Sequence, residues 1–269
     1  MSSILKNLEG FLASGGATAI VEVAEAKGST PREQGAWMLV SANAIFGTIG
    51  GGQLEFLAID KARELIAKNV ASGALDIPLG PEIGQCCGGR VALSITLMDG
   101  EKAEALRRRA TEQDSAQPHV CLFGGGHVGH ALAEALDLLP LNVSVIETRA
   151  EALAGLPETV TSRLTPMPEE AVREAPPGSA YLVLTHDHAL DFLIVAEALR
   201  RADAAYVGMI GSKTKRETFR RWYLSEAGGT ESDAARLVCP IGGGDIIDKR
   251  PAIIAALTAA EVLSALASR

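Results

Sequence analysis

The sequence predicts an α/β protein, with a C-terminal Rossmann-like parallel sheet covered by helices on both faces and a smaller α+β domain before it. Three observations carry this. Beyond residue 118, short apolar runs alternate with helical segments, the pattern of a parallel sheet buried on both sides. A strand ending at Phe123 runs into Gly124-Gly125-Gly126-His127-Val128-Gly129 and then into an amphipathic helix, so a G-x-G-x-x-G stands in its proper context. The chain, at 269 residues, is also longer than the roughly 100–200 residues usual for one domain.

In chain order, Ile4, Leu5, Leu8, Phe11 and Leu12 lie at helical spacing, and residues 18–23 read as a strand. Residues 36–40 and 44–46 form a hairpin that delivers the chain into a glycine loop at 47–52. An apolar face of Leu54, Leu57, Ala58, Ala62, Leu65 and Ile66 predicts a helix over 53–71, with Gly73 placed to stop it from a left-handed conformation. A polar, glycine-rich stretch at 80–89 leads to a strand at 90–98 and a helix at 101–109. The polar run 110–118 is the expected linker, giving domains at 1–112 and 118–269. In the second domain, strands are expected at 119–123, 142–147, 159–162, 180–184, 205–210 and 236–239. Helices are expected at 127–138, 168–175, 190–201, 213–226 and 251–267.

Composition narrows the function. A net charge of −8 argues against binding a phosphate backbone, and 4% aromatic residues argue against a stacking platform for single strands, so no nucleic-acid partner is expected. Residues 1–110 hold 11 basic and 12 acidic side chains against 14 and 21 in residues 111–269, so the second half carries nearly all the excess negative charge. Within it, residues 213–221 are locally basic, which reads either as an anion site or as a solvated helix face. Lys6 and Glu9 break the first apolar segment, and the longest uncharged run, 34–54, holds five glycines, so neither a secretory leader nor a membrane span is expected. Four cysteines, with Cys86 and Cys87 adjacent, make no disulfide framework in a chain of this length, and the cytoplasm is the expected compartment.

The glycine loop is the first candidate site. Gly124 permits the tight turn, Gly126 lets backbone approach a pyrophosphate, Gly129 lets the helix press on the strand, and the helix N-terminus offers amides to an anion; His127 is exposed beside it. Glu147 falls about 20 residues on, at the end of the next strand, where a ribose-binding acid is expected; Arg149 beside it leaves a 2′-hydroxyl and a 2′-phosphate both open. Two other loops reach the same sheet edge. In Thr185-His186-Asp187-His188, two histidines and an aspartate read either as a metal site or, the preferred reading, as a helix cap by Asp187 with His186 facing the ligand; in Gly208-Met209-Ile210-Gly211-Ser212-Lys213, Ser212 is an N-cap. Ser212 and Lys213 are either a cap on a basic surface or holders of a phosphate of the same ligand. His130 reads as ordinary surface.

The first domain holds three tightly turned segments: Gly28-Ser29-Thr30-Pro31-Arg32, the glycine loop at 47–52, and Gln85-Cys86-Cys87-Gly88-Gly89. Arg32 projects from the first, where Thr30 and Glu33 have capping-box spacing. Adjacent cysteines do not have zinc spacing, and a vicinal disulfide is strained. Cys86 and Cys87 are then a soft metal ligand, a sulfur acceptor, or a buried inert thiol.

These motifs, in this order, with Gly35-Ala36-Trp37-Met38-Leu39-Val40 and Leu54-Glu55 between them, resemble the xanthine dehydrogenase accessory protein family (XdhC/CoxI-like), over nearly the whole chain. Glu147 stands where the family pattern has an aspartate, and His130 where an arginine is common. The resemblance implies a cytoplasmic maturation factor rather than a metabolic enzyme. Such a factor binds the molybdenum cofactor (molybdopterin), supports its sulfuration and inserts it into xanthine dehydrogenase. Its partners would be the molybdenum-bearing subunit and a cysteine desulfurase, and a homodimer is expected. On this reading Gly124, Gly126, His127, Gly129, Glu147, His186, Ser212, Lys213, Arg32, Gln85, Cys86 and Cys87 contact the cargo. Its phosphate would lie near 124–129 or Ser212-Lys213, and Cys86 or Cys87 would face molybdenum. Two other classes compete. An NAD(P)-dependent oxidoreductase would use the same glycine loop and Glu147 but leaves Cys86-Cys87 unexplained, and an interaction scaffold would keep the fold empty.

Overall fold

The structure is a computed structural model describing residues 3–80, 88–243 and 248–268. The chain divides into two compact units, Ile4–Thr111 and Glu112–Arg269. Among the described residues no helix is long and apolar enough to cross a membrane.

In the first unit, α1 (Ser3–Ala13) precedes β1 (Thr18–Lys27), β2 (Trp37–Ser41) and β3 (Ile45–Gly47). Then come α2 (Gly52–Lys68), β4 (Ser72–Pro78), β5 (Arg90–Leu97) and α3 (Gly100–Ser115). The strands form an antiparallel sheet in the order β3-β2-β1-β5-β4. Period-two alternation sends Val21, Val40 and Leu93 to one face, where Leu54, Ala58 and Leu65 of α2 cover them, while Ile20 and Leu39 meet Leu5, Leu8 and Leu106 on the other.

Three expectations need correction here. Helix α2 stops at Asn69, which takes the left-handed conformation (φ 50°, ψ 42°), and not at Gly73. Gly73 lies inside β4, an edge strand the sequence hid because only Ile77 of it is buried. The expected linker is helical as far as Ser115, since residues 110–115 contain no helix breaker and Leu106 and Ala110, four apart, continue one buried face. No helix begins at Thr30, where the chain turns as far as Gly35, so Thr30 and Glu33 form no capping box; Ala36 N–H instead turns back on the Glu33 carbonyl.

The second unit is a Rossmann sheet. Strands β6 (His119–Phe123), β7 (Asn142–Glu147), β8 (Thr161–Leu164), β9 (Ala180–Val183), β10 (Tyr206–Met209) and β11 (Leu237–Val238) run parallel in the order β11-β10-β9-β6-β7-β8. Helices α4 (His127–Asp137), α5 (Pro168–Glu174), α6 (His188–Arg200), α7 (Lys213–Ser225), α8 (Glu231–Ala235) and α9 (Pro251–Ala267) clothe it. Alternate residues of β6 serve the two faces: Val120 and Leu122 pack with α4 and α9, Cys121 and Phe123 with α5, α6 and α7. Strand order reverses between β6 and β9, which opens a crevice at their carboxyl ends, the place where open α/β sheets bind ligands.

Candidate functional site

At that crevice the glycines divide their labour. A Cβ on Gly129 would lie 2.0 Å from the Gly124 carbonyl oxygen, so α4 reaches the strand only because residue 129 has none. Gly126, the N-cap of α4, has open space where a side chain would stand, and no side chain caps this helix. The first amides of α4 therefore face the crevice with the positive end of the helix dipole. His127 beside them is exposed.

Glu147 is not turned to the open side. It is 4% exposed; one carboxylate oxygen accepts Gly125 N–H at 2.9 Å, and the other accepts Thr148 N–H at 2.8 Å and Arg149 N–H at 3.1 Å. Arg149 Nη2 adds a bond at 3.2 Å. Burial raises the carboxyl's pKa, but the bonds from Arg149, Gly125 and Thr148 outweigh it and bring it from 4.5 to about 2. Glu147 is thus an internal brace of the loop. His130 is not plain surface either, because its Nε2 lies 3.0 Å from the Ala152 carbonyl oxygen.

The loops after β9 and β10 complete the edge. Asp187 caps α6, accepting from Ala189 and Leu190 N–H, and His186 before it is exposed. Ser212 caps α7 by accepting Lys215 N–H at 3.2 Å, which leaves its own O–H free to donate. Lys213 is exposed and makes no ion pair among the described residues; it lines a cavity of about 480 Å³ together with Arg216, Phe219, Leu237 and Cys239. Within the basic stretch, Arg220 pairs with Glu231 and Glu217, and Arg221 with Glu217. Sequence reasoning missed the buried pair behind these loops, Asp191 and Lys215, 2.5 Å apart.

In the first unit the turns at 28–32 and 47–52 meet each other, and the first of them meets Gly88-Gly89. A Cβ on Gly89 would lie 2.3 Å from the Ser29 carbonyl oxygen, so the turn at 28–32 presses directly on Gly88-Gly89, and a Cβ on Gly50 would strike the Pro31 ring at 2.6 Å. Leu79 donates its N–H to the Gly89 carbonyl at 2.7 Å and accepts Gly88 N–H at 2.8 Å. The loop at 47–52 is filled from within: Glu55 accepts Thr48 O–H at 2.6 Å and the Ile49 and Gly51 N–H groups at 3.1 Å. Arg32 is exposed at this junction. Gln85, Cys86 and Cys87 lie outside the described residues.

Chemically, the Rossmann edge offers uncapped amides, two exposed imidazoles, a hydroxyl and a free cation, a set that fits a phosphate-bearing ligand. Among the described residues no group of three or more His, Cys, Asp or Glu converges on a metal position. Cys121 and Cys239 are buried, and burial pushes both thiols up, Cys121 to about 11, so neither supplies a thiolate.

Fold and edge together define a two-unit α/β protein whose second unit is a Rossmann sheet. The pattern of the XdhC Rossmann domain matches residues 120–262, and that of the XdhC and CoxI family matches residues 11–75. The chain belongs to the XdhC family. It is 27% identical over 257 residues to Uncharacterized protein YqeB of Escherichia coli (strain K12), a match covering 91% of this chain and 43% of that protein. The chain therefore spans less than half the length of that relative. A solved structure described as a xanthine dehydrogenase from Bacillus halodurans superposes with a TM-score of 0.80 at 17% identity, over 100% of this chain and 97% of the other; at that identity the likeness speaks for the fold.

Proposed function

We propose that this protein is a maturation factor for a xanthine dehydrogenase: in the cytoplasm it binds molybdopterin with its molybdenum, supports sulfuration of the metal, and passes the group to the molybdenum-bearing subunit. The observation that supports this most is the open, uncapped start of α4 at Gly126, with His127, His186, Ser212 and Lys213 on the same sheet edge, in a chain of the XdhC family. Molybdopterin carries a terminal phosphate, which suits that edge. Arg32 and Gln85 suit the hydrogen-bonding pterin, and Cys86 or Cys87 suits the metal end. A cysteine desulfurase would be the sulfur donor, and the working form would be a homodimer.

A nicotinamide-dependent oxidoreductase fits less well. Its ribose would need the Glu147 carboxylate, which already accepts bonds from Gly125, Thr148 and Arg149.

The test is to load the purified chain with molybdopterin and molybdate, add a cysteine desulfurase with cysteine as the sulfur source, measure bound pterin, metal and metal-bound sulfur, and transfer them to apo-xanthine dehydrogenase. We expect uptake and transfer, with Cys86→Ser/Cys87→Ser retaining pterin but losing the sulfurated metal. A chain that takes up no molybdopterin yet binds NAD(H) and transfers hydride overturns the proposal.

A further inference from the structure

We propose that Asp191 and Lys215 are the positioning residues of the carboxyl edge: their buried ion pair fastens the loop after β9 to the loop after β10, so that His186 and Ser212-Lys213 meet one anionic ligand as a single unit. The ligand itself is that of the maturation reading, on which this rests; the coupling of the two loops does not depend on it.

Asp191 lies in the first turn of α6 and is fully buried. One of its oxygens accepts Thr185 N–H at 3.0 Å and Thr185 O–H at 2.6 Å; the other accepts the Lys215 ammonium at 2.5 Å. Lys215, in the first turn of α7, is 12% exposed and also donates to the Ile210 carbonyl at 3.0 Å. The carboxylate thus holds the residue just before His186, and the ammonium holds a residue two before Ser212. The lysine stem crosses Gly211 so closely that a Cβ there would lie 2.7 Å from its Cδ, which makes glycine at 211 a condition of the reach.

Neither partner is well placed to bind ligand directly. Both Asp191 oxygens are engaged, and the Lys215 charge is cancelled at contact distance. Stability alone does not account for the pair, because a buried ion pair commonly gains little over apolar residues of the same volume. What it supplies is geometry: two loops on neighbouring strands that cannot shift separately, and so lose little entropy when ligand arrives.

The test uses the full chain with Asp191→Leu, Lys215→Met and the double variant. It reads melting temperature, amide exchange at 185–188 and 210–213, and molybdopterin affinity. Each single variant should lose protection in both loops, including the loop left unsubstituted, and about tenfold in affinity. The double variant should recover melting temperature but not affinity, and it decides the matter if a single variant fails to fold. Affinity that returns with stability in the double variant, or protection lost only in the substituted loop, overturns the proposal. A wild-type chain that takes up no molybdopterin ends the maturation reading, and exchange in the opposite loop still decides the coupling.

Discussion

At Glu147 a carboxylate that spacing assigns to a ligand is bound instead to the backbone of its own glycine loop. Its folded pKa of about 2, against 4.5 when free, makes it a stabilising group above about pH 4.5, and that contribution is lost as pH falls toward 2. The shift corresponds to on the order of 3 kcal/mol. We expect Glu147→Gln to cost about 2–3 kcal/mol at neutral pH, because an amide NH₂ must then face a backbone or guanidinium donor. The gap from wild type should narrow as pH is lowered through that window, which urea denaturation across the range would read; a cost that ignores pH would remove the charge from the account. The spacing of about 20 residues from the glycine loop does place an acid at the end of β7. It says nothing of which way the carboxylate turns, since that depends on Gly125 and Arg149 arriving from either side. Asp191 and Lys215 left no motif at all: they are 24 residues apart on different helices, and only the pairing of β9 with β10 brings them together.

Elements were legible in proportion to the periodicity they carry. The strands of the Rossmann sheet are buried on both faces and read as apolar runs, so β6, β7, β9 and β10 fall within a residue or so of their expected bounds. Edge strand β4 buries one side chain and merges, to a reader of periodicity, with the end of α2. The loop before α2 was legible as glycines, but its filling was not. Glu55, one turn into the helix, reaches back to the Thr48 hydroxyl and to two backbone amides, one of them belonging to the fully buried Ile49. A charged acceptor with three donors is worth more than a single neutral bond, and it complements the helix dipole. We expect Glu55→Ala to lower stability by about 1–3 kcal/mol and to speed amide exchange at Ile49 and Gly51 selectively. Unchanged exchange at those two amides would show that the glycine backbone holds itself.

At the scale of the whole chain, each unit owns its core. The clusters around Leu54 and around Leu8 draw only on residues up to 110, and those around Phe123 and Leu122 only on residues from 120 onward. The change from hairpin patterning to alternating strands and helices marks this division in the sequence, but it does not show that α3 runs as helix through residue 111, because a polar helix face and a polar linker have the same composition. Separate cores make a prediction about damage. Leu54 is fully buried between α2 and the antiparallel sheet, and truncating a buried leucine to alanine typically costs about 2–5 kcal/mol. We expect Leu54→Ala to weaken amide protection in β1, β2 and β5 by an amount matching that cost, while the protected amides of β6, β9 and β10 exchange as in the wild type. Equal loss in both sheets would mean that the two cores unfold as one, and the edge at Gly126 and Lys213 would then be only as stable as the antiparallel sheet allows.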